Sequence, residues 1–246
     1  MRTTRCIVAL LSTLLLGACA ISYGAVGLGR LGGRVVVMWV GADNFLYIPA
    51  PKAGTFFFET ARSGNVIAPG IMYTDGGSIP RIARGLQGFS PWGFGPAYVV
   101  HDWIFYAHHC VVDGEYLGRF SEYEKRITFD ESALILAEVI KTLVDYGQVS
   151  ENAFATDIIS NAVDGAVARA LWDAKGACER GRVTPWHIAV AWKAVLGSGA
   201  STPPASWRLM PSEVEAARKL LHKVPDVISP EHPLIAPVPL ARLDKR

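Results

Sequence analysis

Apolar and polar positions divide this chain into two textures. Val35-Val36-Val37-Met38-Trp39-Val40 is a β-branched and aromatic run, and Phe45–Ile48, Thr55–Thr60 and Val66–Ala68 follow it as shorter runs separated by Gly, Pro, Asn and Asp. Such runs between turn formers predict strands. After about Pro96 the pattern changes. Ala97–His109 has no Gly or Pro and predicts a buried helix. Glu131–Tyr146 and Glu151–Ala174 predict two longer helices, with Asp130 and Ser150 placed as their N-caps. Thr184-Pro185 opens a helix through Leu196, with Pro in the tolerated first position. Ser212-Glu213-Val214-Glu215 reads as a capping box opening a short helix to about Lys223. Strands first and helices later predict an α+β fold, an N-terminal antiparallel β-region followed by a helical, bundle-like half.

The segments between these elements set the expected boundaries. Residues 19–33 are rich in Gly and small side chains, and read as a flexible tether. They contain Gly27-Leu28-Gly29-Arg30-Leu31-Gly32, a G-x-G-x-x-G pattern. A dinucleotide site needs a strand before that pattern and a helix after it, and here a β-rich run follows. Residues 34–196 are the expected α+β domain, and 197–211 a Gly/Ser/Pro linker. Residues 212–246 are the short helix and a Pro-rich tail. Prolines at 225, 230, 233, 237 and 239 predict that this tail is extended or disordered.

The first eighteen residues have the character of an address. Arg2 and Arg5 precede Ile7–Leu16, which is apolar except for Ser12 and Thr13. That run suits the core of a signal peptide and is too short to span a bilayer. Leu16-Gly17-Ala18-Cys19 then resembles a bacterial lipobox. The resemblance implies cleavage before Cys19, lipidation of Cys19 and, with Ala20 rather than Asp following, a periplasm-facing anchor in the outer membrane. Ordinary secretion is the alternative, because Ala18-Cys19-Ala20 also fits a small-x-small cleavage site.

Composition narrows the class further. With 50% hydrophobic and 19% charged residues, the chain has the makings of a core and is not a disordered polymer. Its formal net charge of +2 gives no electrostatic footprint for nucleic acid. There is no C-x-x-C, so a zinc ribbon is excluded. Beyond Cys6 and Cys19, only Cys110 and Cys178 remain. In an oxidising compartment they are either a disulfide or two buried thiols.

Two segments carry candidate chemistry. Thr74-Asp75-Gly76-Gly77-Ser78-Ile79-Pro80-Arg81 is a tight Asp-Gly-Gly loop that can turn backbone groups toward a ligand, or a plain turn closing a hairpin. Tyr98-Val99-Val100-His101-Asp102-Trp103-Ile104-Phe105-Tyr106-Ala107-His108-His109 places an ionisable pair in an apolar helix. A buried Asp102 must be paired, metal-bound or neutral. His108 and His109 are expected at the helix end, where imidazolium suits the dipole. Ser78 with His101 and an Asp would make a hydrolytic triad, but Pro80 stands where a nucleophile elbow has Gly.

Taken together, the Thr74–Pro80 loop, His101-Asp102-Trp103-Ile104-Phe105 and the helix-opening Asp130 resemble an uncharacterised phage and bacterial family, domain of unknown function 1353. The likeness spans roughly residues 34–150, with Gly77 for the family's usual Ala and Phe105 for its usual Tyr. A looser likeness is to secreted phospholipases of the A2 type. That likeness implies His101 as base, Asp102 with the Gly76 and Gly77 carbonyls holding a divalent cation, and Asp130 orienting the His. Asp75 joins Asp102 as an expected metal ligand, with calcium or zinc as the ion. The expected function is therefore an exported, lipid-anchored envelope protein with a His-Asp site, a metal-assisted hydrolase of phospholipid or peptidoglycan. Its expected partners are the membrane and envelope or cell-wall components, not nucleic acid. The alternative is a non-catalytic structural or binding lipoprotein in which the His-Asp cluster is a buried polar staple.

Overall fold

The computed structural model describes residues 23–41, 44–50, 54–75, 94–149, 165–197 and 199–225, and the backbone of 238–242. The expected signal peptide, Cys19, the Gly76-Gly77-Ser78 loop, Ser150 and most of the expected 151–174 helix lie outside these residues. The fold is α+β. Its strands are β1 (Arg30–Gly32), β2 (Arg34–Gly41), β3 (Asn44–Pro49), β4 (Phe57–Glu59), β5 (Val66–Ile67), β6 (Met72–Thr74) and β7 (Val238–Arg242). They form two antiparallel sheets, β1-β4-β5 and β6-β3-β2-β7. The helices are α1 (Gly95–Asp113), α2 (Phe129–Asp145), α3 (Ala166–Trp172), α4 (Cys178–Gly181), α5 (Pro185–Ala191) and α6 (Pro211–Arg218).

The continuous apolar run in β2 follows from burial on both faces. Val35 and Val37, with Tyr47 and Met72 from its neighbours, enter a core shared with α1 and α2. Met38, with Leu46, Ile48 and Ile71, enters a second core built with α5, Trp192 and Trp207. A strand covered on both faces has no polar alternation to show. α1 is the centre of the first core, and Val100, Trp103, Ile104, Ala107 and Cys110 on it are fully buried.

Buried polar groups tie the helices together. Glu124, 1% exposed, accepts from Trp103 Nε1 at 2.9 Å, Ser121 N at 2.7 Å and Arg208 at 2.6 Å. Arg119 donates to Tyr106 Oη at 3.2 Å and to the carboxylate of Glu213, both charges being sealed from solvent. Cys110 on α1 and Cys178 on α4 are joined by a disulfide. Asp113, at the C-terminal end of α1, lies where a carboxylate opposes the helix dipole. It accepts from Gly176 N and Cys178 N, each at 2.9 Å, and these bonds hold its pKa down.

Several expectations change. Residues 26–33 do not form a loose tether. Val26 and Leu31 are buried, Lys141 donates to the carbonyls of Gly24 and Val26, and Gly29 N donates to Thr142 Oγ1 at 3.0 Å. A Cβ on Gly29 would fall 2.4 Å from the Phe58 ring, so its glycine permits close packing. The N-cap of α2 is Thr128, not Asp130; its hydroxyl accepts from Glu131 N at 3.2 Å. The expected linker 197–211 carries Trp207, which is fully buried and donates to Pro49 O at 3.0 Å. α6 starts earlier than the Ser212 capping box implies, with Pro211 in its first turn and Glu213 accepting from Met210 N at 2.8 Å. The Pro-rich tail is not wholly irregular, because Val238–Arg242 pairs with β2. Pro239 is accommodated since β7 lies at the sheet edge.

The expected helix from Thr184-Pro185 is present as α5 and continues as a π-helical turn over Trp192–Leu196. Thr184 caps it, accepting from His187 N at 3.3 Å.

Glu124→Ala should unfold at lower urea, with a loss of about 1–3 kcal/mol, because it leaves the buried Trp103 indole N–H without its acceptor and removes the carboxylate from the partly exposed Arg208. Glu124→Gln keeps an acceptor for Trp103 and should lose less. Equal midpoints for Glu124→Ala and wild type would contradict the buried network.

Candidate functional site

The His-Asp pair sits on the face of α1 that meets the end of β6. Tyr98, His101, Asp102 and Phe105 recur at spacings of three and four residues, so they are neighbours along one stripe of the helix. Asp102 reaches β6, where Thr74 Oγ1 donates to its Oδ2 at 2.5 Å. The other carboxylate oxygen lies 3.8 Å from His101 Nδ1, an electrostatic contact too long for a hydrogen bond. The His101 ring packs on Phe105 with centroids 4.6 Å apart. Neither member is sealed off. The side chains of His101 and Asp102 are 13% and 21% exposed.

Two atoms of the stripe are unusual. Among the described residues, His101 Nε2 and Tyr98 Oη are both buried without a hydrogen-bond partner, as are Tyr47 Oη, Arg119 Nε and Glu213 Oε1 elsewhere in the fold. Leaving a buried polar group unpaired costs about 1–3 kcal/mol, and native folds rarely tolerate it without a reason. Burial raises the Tyr98 pKa, and the nearby charges of Asp102 and Asp75 raise it further. The phenol is therefore held as an O–H donor. Asp75 is exposed, and its effect on Tyr98 places it beside the same cluster.

Asp130 is not part of this cluster. Its side chain is 82% exposed and accepts from Arg169 on α3 at 2.8 Å. It neither caps α2 nor orients His101. His108 and His109 also depart from expectation, because α1 runs on to Asp113 and leaves both within the helix. His108 stacks on Trp172 at 3.8 Å, and burial, reinforced by neighbouring His109, pushes its pKa down. It is a neutral packing residue and not a dipole-stabilised imidazolium. His109 Nε2 bonds to Leu171 O at 2.8 Å.

Among the described residues, no three His, Cys, Asp or Glu side chains gather as a metal ligand set. Asp102 gives one oxygen to Thr74, which leaves His101 and Asp102 as an incomplete donor pair. Gly76, Gly77 and Ser78, expected to complete a calcium loop or a triad, lie outside the described residues. Thr74 and Tyr98 were not singled out in the sequence, although each lies in a segment that was. The available signal was the three- and four-residue spacing from Tyr98 to His101 and Asp102.

Among the described residues, no helix is long and apolar enough to cross a membrane. No family model, curated protein or solved structure matches the chain. The likeness to domain of unknown function 1353 thus rests on the short motifs alone.

The His108 stack generates a pH expectation. Its folded pKa lies below the ordinary 6.5, so the unfolded chain binds the proton more readily. Its contribution to stability is complete above 6.5 and is lost as pH falls through the lowered folded value. His187, whose pKa burial also lowers, acts in the same direction. Wild type should therefore melt earlier on the acid side of 6.5, and His108→Phe, which keeps the stack, should lose part of that acid sensitivity. Parallel melting curves against pH for the two proteins would contradict this account.

Proposed function

We propose that this chain is an exported, lipid-anchored protein of the bacterial envelope, and that the Tyr98, His101 and Asp102 face of α1 is a hydrolytic site for phospholipid or peptidoglycan. The observation that carries the catalytic reading is the pair of buried, unpartnered atoms, His101 Nε2 and Tyr98 Oη, on adjacent positions of one helix face. They are an acceptor and a donor next to a carboxylate held by Thr74.

The chemistry follows from those roles. His101 Nε2 takes a proton from water as the water oxygen bonds to the carbonyl carbon or phosphorus. Asp102, shortening its contact with Nδ1 in the complex, holds the imidazole tautomer and stabilises the imidazolium. The protonated Tyr98 hydroxyl donates to the developing oxyanion. The proton on His101 then passes to the leaving oxygen or nitrogen as its bond breaks. An anchor at Cys19 would keep the site at the outer membrane, facing the periplasm, within reach of both substrate classes.

A second reading has its own support. The Thr74–Asp102 bond joins β6 to α1, as a polar staple in a non-catalytic binding or structural lipoprotein would.

His101→Ala separates the two. In the hydrolytic reading, activity on phospholipid vesicles or peptidoglycan is lost while the melting temperature holds or rises, because an unsatisfied nitrogen is removed. A fall in melting temperature, with no hydrolysis by wild type on either substrate, would sink the enzyme reading and leave the staple. Calcium or zinc should raise the melting temperature of wild type but not of Asp102→Asn if a cation belongs at the site. Cys19→Ser should leave the precursor uncut or move the protein to the soluble export fraction; unchanged membrane fractionation would refute the anchor.

A further inference from the structure

The flexible spacer that usually separates a lipid anchor from its domain is almost absent here. Lys141 Nζ on α2 donates to Gly24 O at 3.3 Å and to Val26 O at 2.5 Å, and Val26 is buried. Gly27 passes so close to the turn after β4 that a Cβ on it would lie 2.7 Å from Ala61 Cβ. The chain is therefore fastened to the domain from Gly24 onward. Between Cys19 and Tyr23 there are only four Cα–Cα steps, which span at most ~15 Å at about 3.8 Å each. That reach is about half the thickness of a bilayer's hydrocarbon core, ~30 Å.

We infer that the surface formed by Gly24–Leu28 and the Ala61–Gly64 turn lies directly on the leaflet that holds the anchor. This rests on the lipid-anchor reading above. The occupant follows from where the chain ends and how little of it is left to span a gap. The surface is suited to that position. Leu28 is 49% exposed, and Arg62 is exposed on the turn against which Gly27 packs. An apolar side chain can enter the interface, and a guanidinium can meet lipid phosphates. The domain thus holds one fixed face toward the membrane and does not sample orientations around a long tether.

The mature chain simplifies the test. With Cys110 and Cys178 in a disulfide and Cys19 acylated, one introduced thiol is the single labelling site. Leu28→Cys and Arg62→Cys, each nitroxide-labelled in the full lipidated protein, are placed in vesicles of phosphatidylethanolamine and phosphatidylglycerol. Both labels should lose access to a water-soluble relaxant. A long Gly/Ser spacer inserted after Ala20 should restore that access. Mass spectrometry of the same samples reports acylation at Cys19. An unacylated Cys19 overturns the anchor and this inference together. An acylated protein whose labels are as water-accessible without the spacer as with it overturns the inference alone.

Discussion

Helix α1 has to be buried on nearly every side, and most of the architecture follows from how its polar side chains are satisfied. A helix with water on one face can leave its polar groups there; along α1 up to Cys110 no side chain is fully exposed, so most of its polar groups need partners within the fold. Trp103 turns its N–H to Glu124, which in turn requires Arg208 from beyond the second core. Tyr106 meets Arg119, and Arg119 requires Glu213 from α6. Cys110 takes Cys178, and Asp113 holds the backbone that leads to it. Each group on α1 thereby draws in a segment far away in sequence. Satisfying α1 positions much of the C-terminal half.

On α1 itself this rule is left incomplete at the candidate site, and off α1 Tyr47 Oη, Arg119 Nε and Glu213 Oε1 also lack a partner among the described residues. Asp102 obeys it through Thr74, whereas Tyr98 Oη and His101 Nε2 do not. The contrast is informative because it occurs on one helix. The same element that turns the Trp103 N–H to Glu124 keeps two polar atoms open a turn away. Their cost is comparable to a noticeable fraction of a domain's net stability, ~5–15 kcal/mol. A cost of that size, retained beside a fixed carboxylate, is what a poised binding or catalytic site requires.

Local pattern revealed those parts of the fold that depend on local pattern. The β2 run, the apolar character of α1 and the Thr184-Pro185 start were legible because burial and capping act within a few residues. The α2 cap shows the limit. Thr128 with Glu131 and Asp130 with the following residues are both plausible starts, and the fold takes the first, which places Phe129, 2% exposed, in the first turn. The segment 197–211 looks like a linker by composition, yet a single side chain, Trp207, seats it in the core. Composition averages over fifteen residues and cannot register one anchor. Asp130 failed as an orienting acid for a related reason. Its distance from His101 is a tertiary quantity, and Arg169 supplies the partner that sequence order had assigned to the histidine.

Glycine in the N-terminal segment was open to two opposite readings, freedom and confinement. The interspersed apolar residues decide between them, since a tether has no reason to carry Val26 and Leu31 into a core. Gly33 shows what confinement achieves. It separates β1 from β2, which belong to different sheets, and turns the chain between them at φ 84°. A Cβ there would lie 2.3 Å from Thr55 O, so any side chain would collide as well as strain the backbone. Immediately after this corner Arg34 N donates to Gly54 O at 3.3 Å, and Arg34 pairs with Arg242 of β7. The corner therefore sets where the small sheet ends, where the large sheet begins, and where the C-terminal strand adds its edge. A segment that reads as slack in the sequence is the joint at which β1, β2 and β7 are brought together.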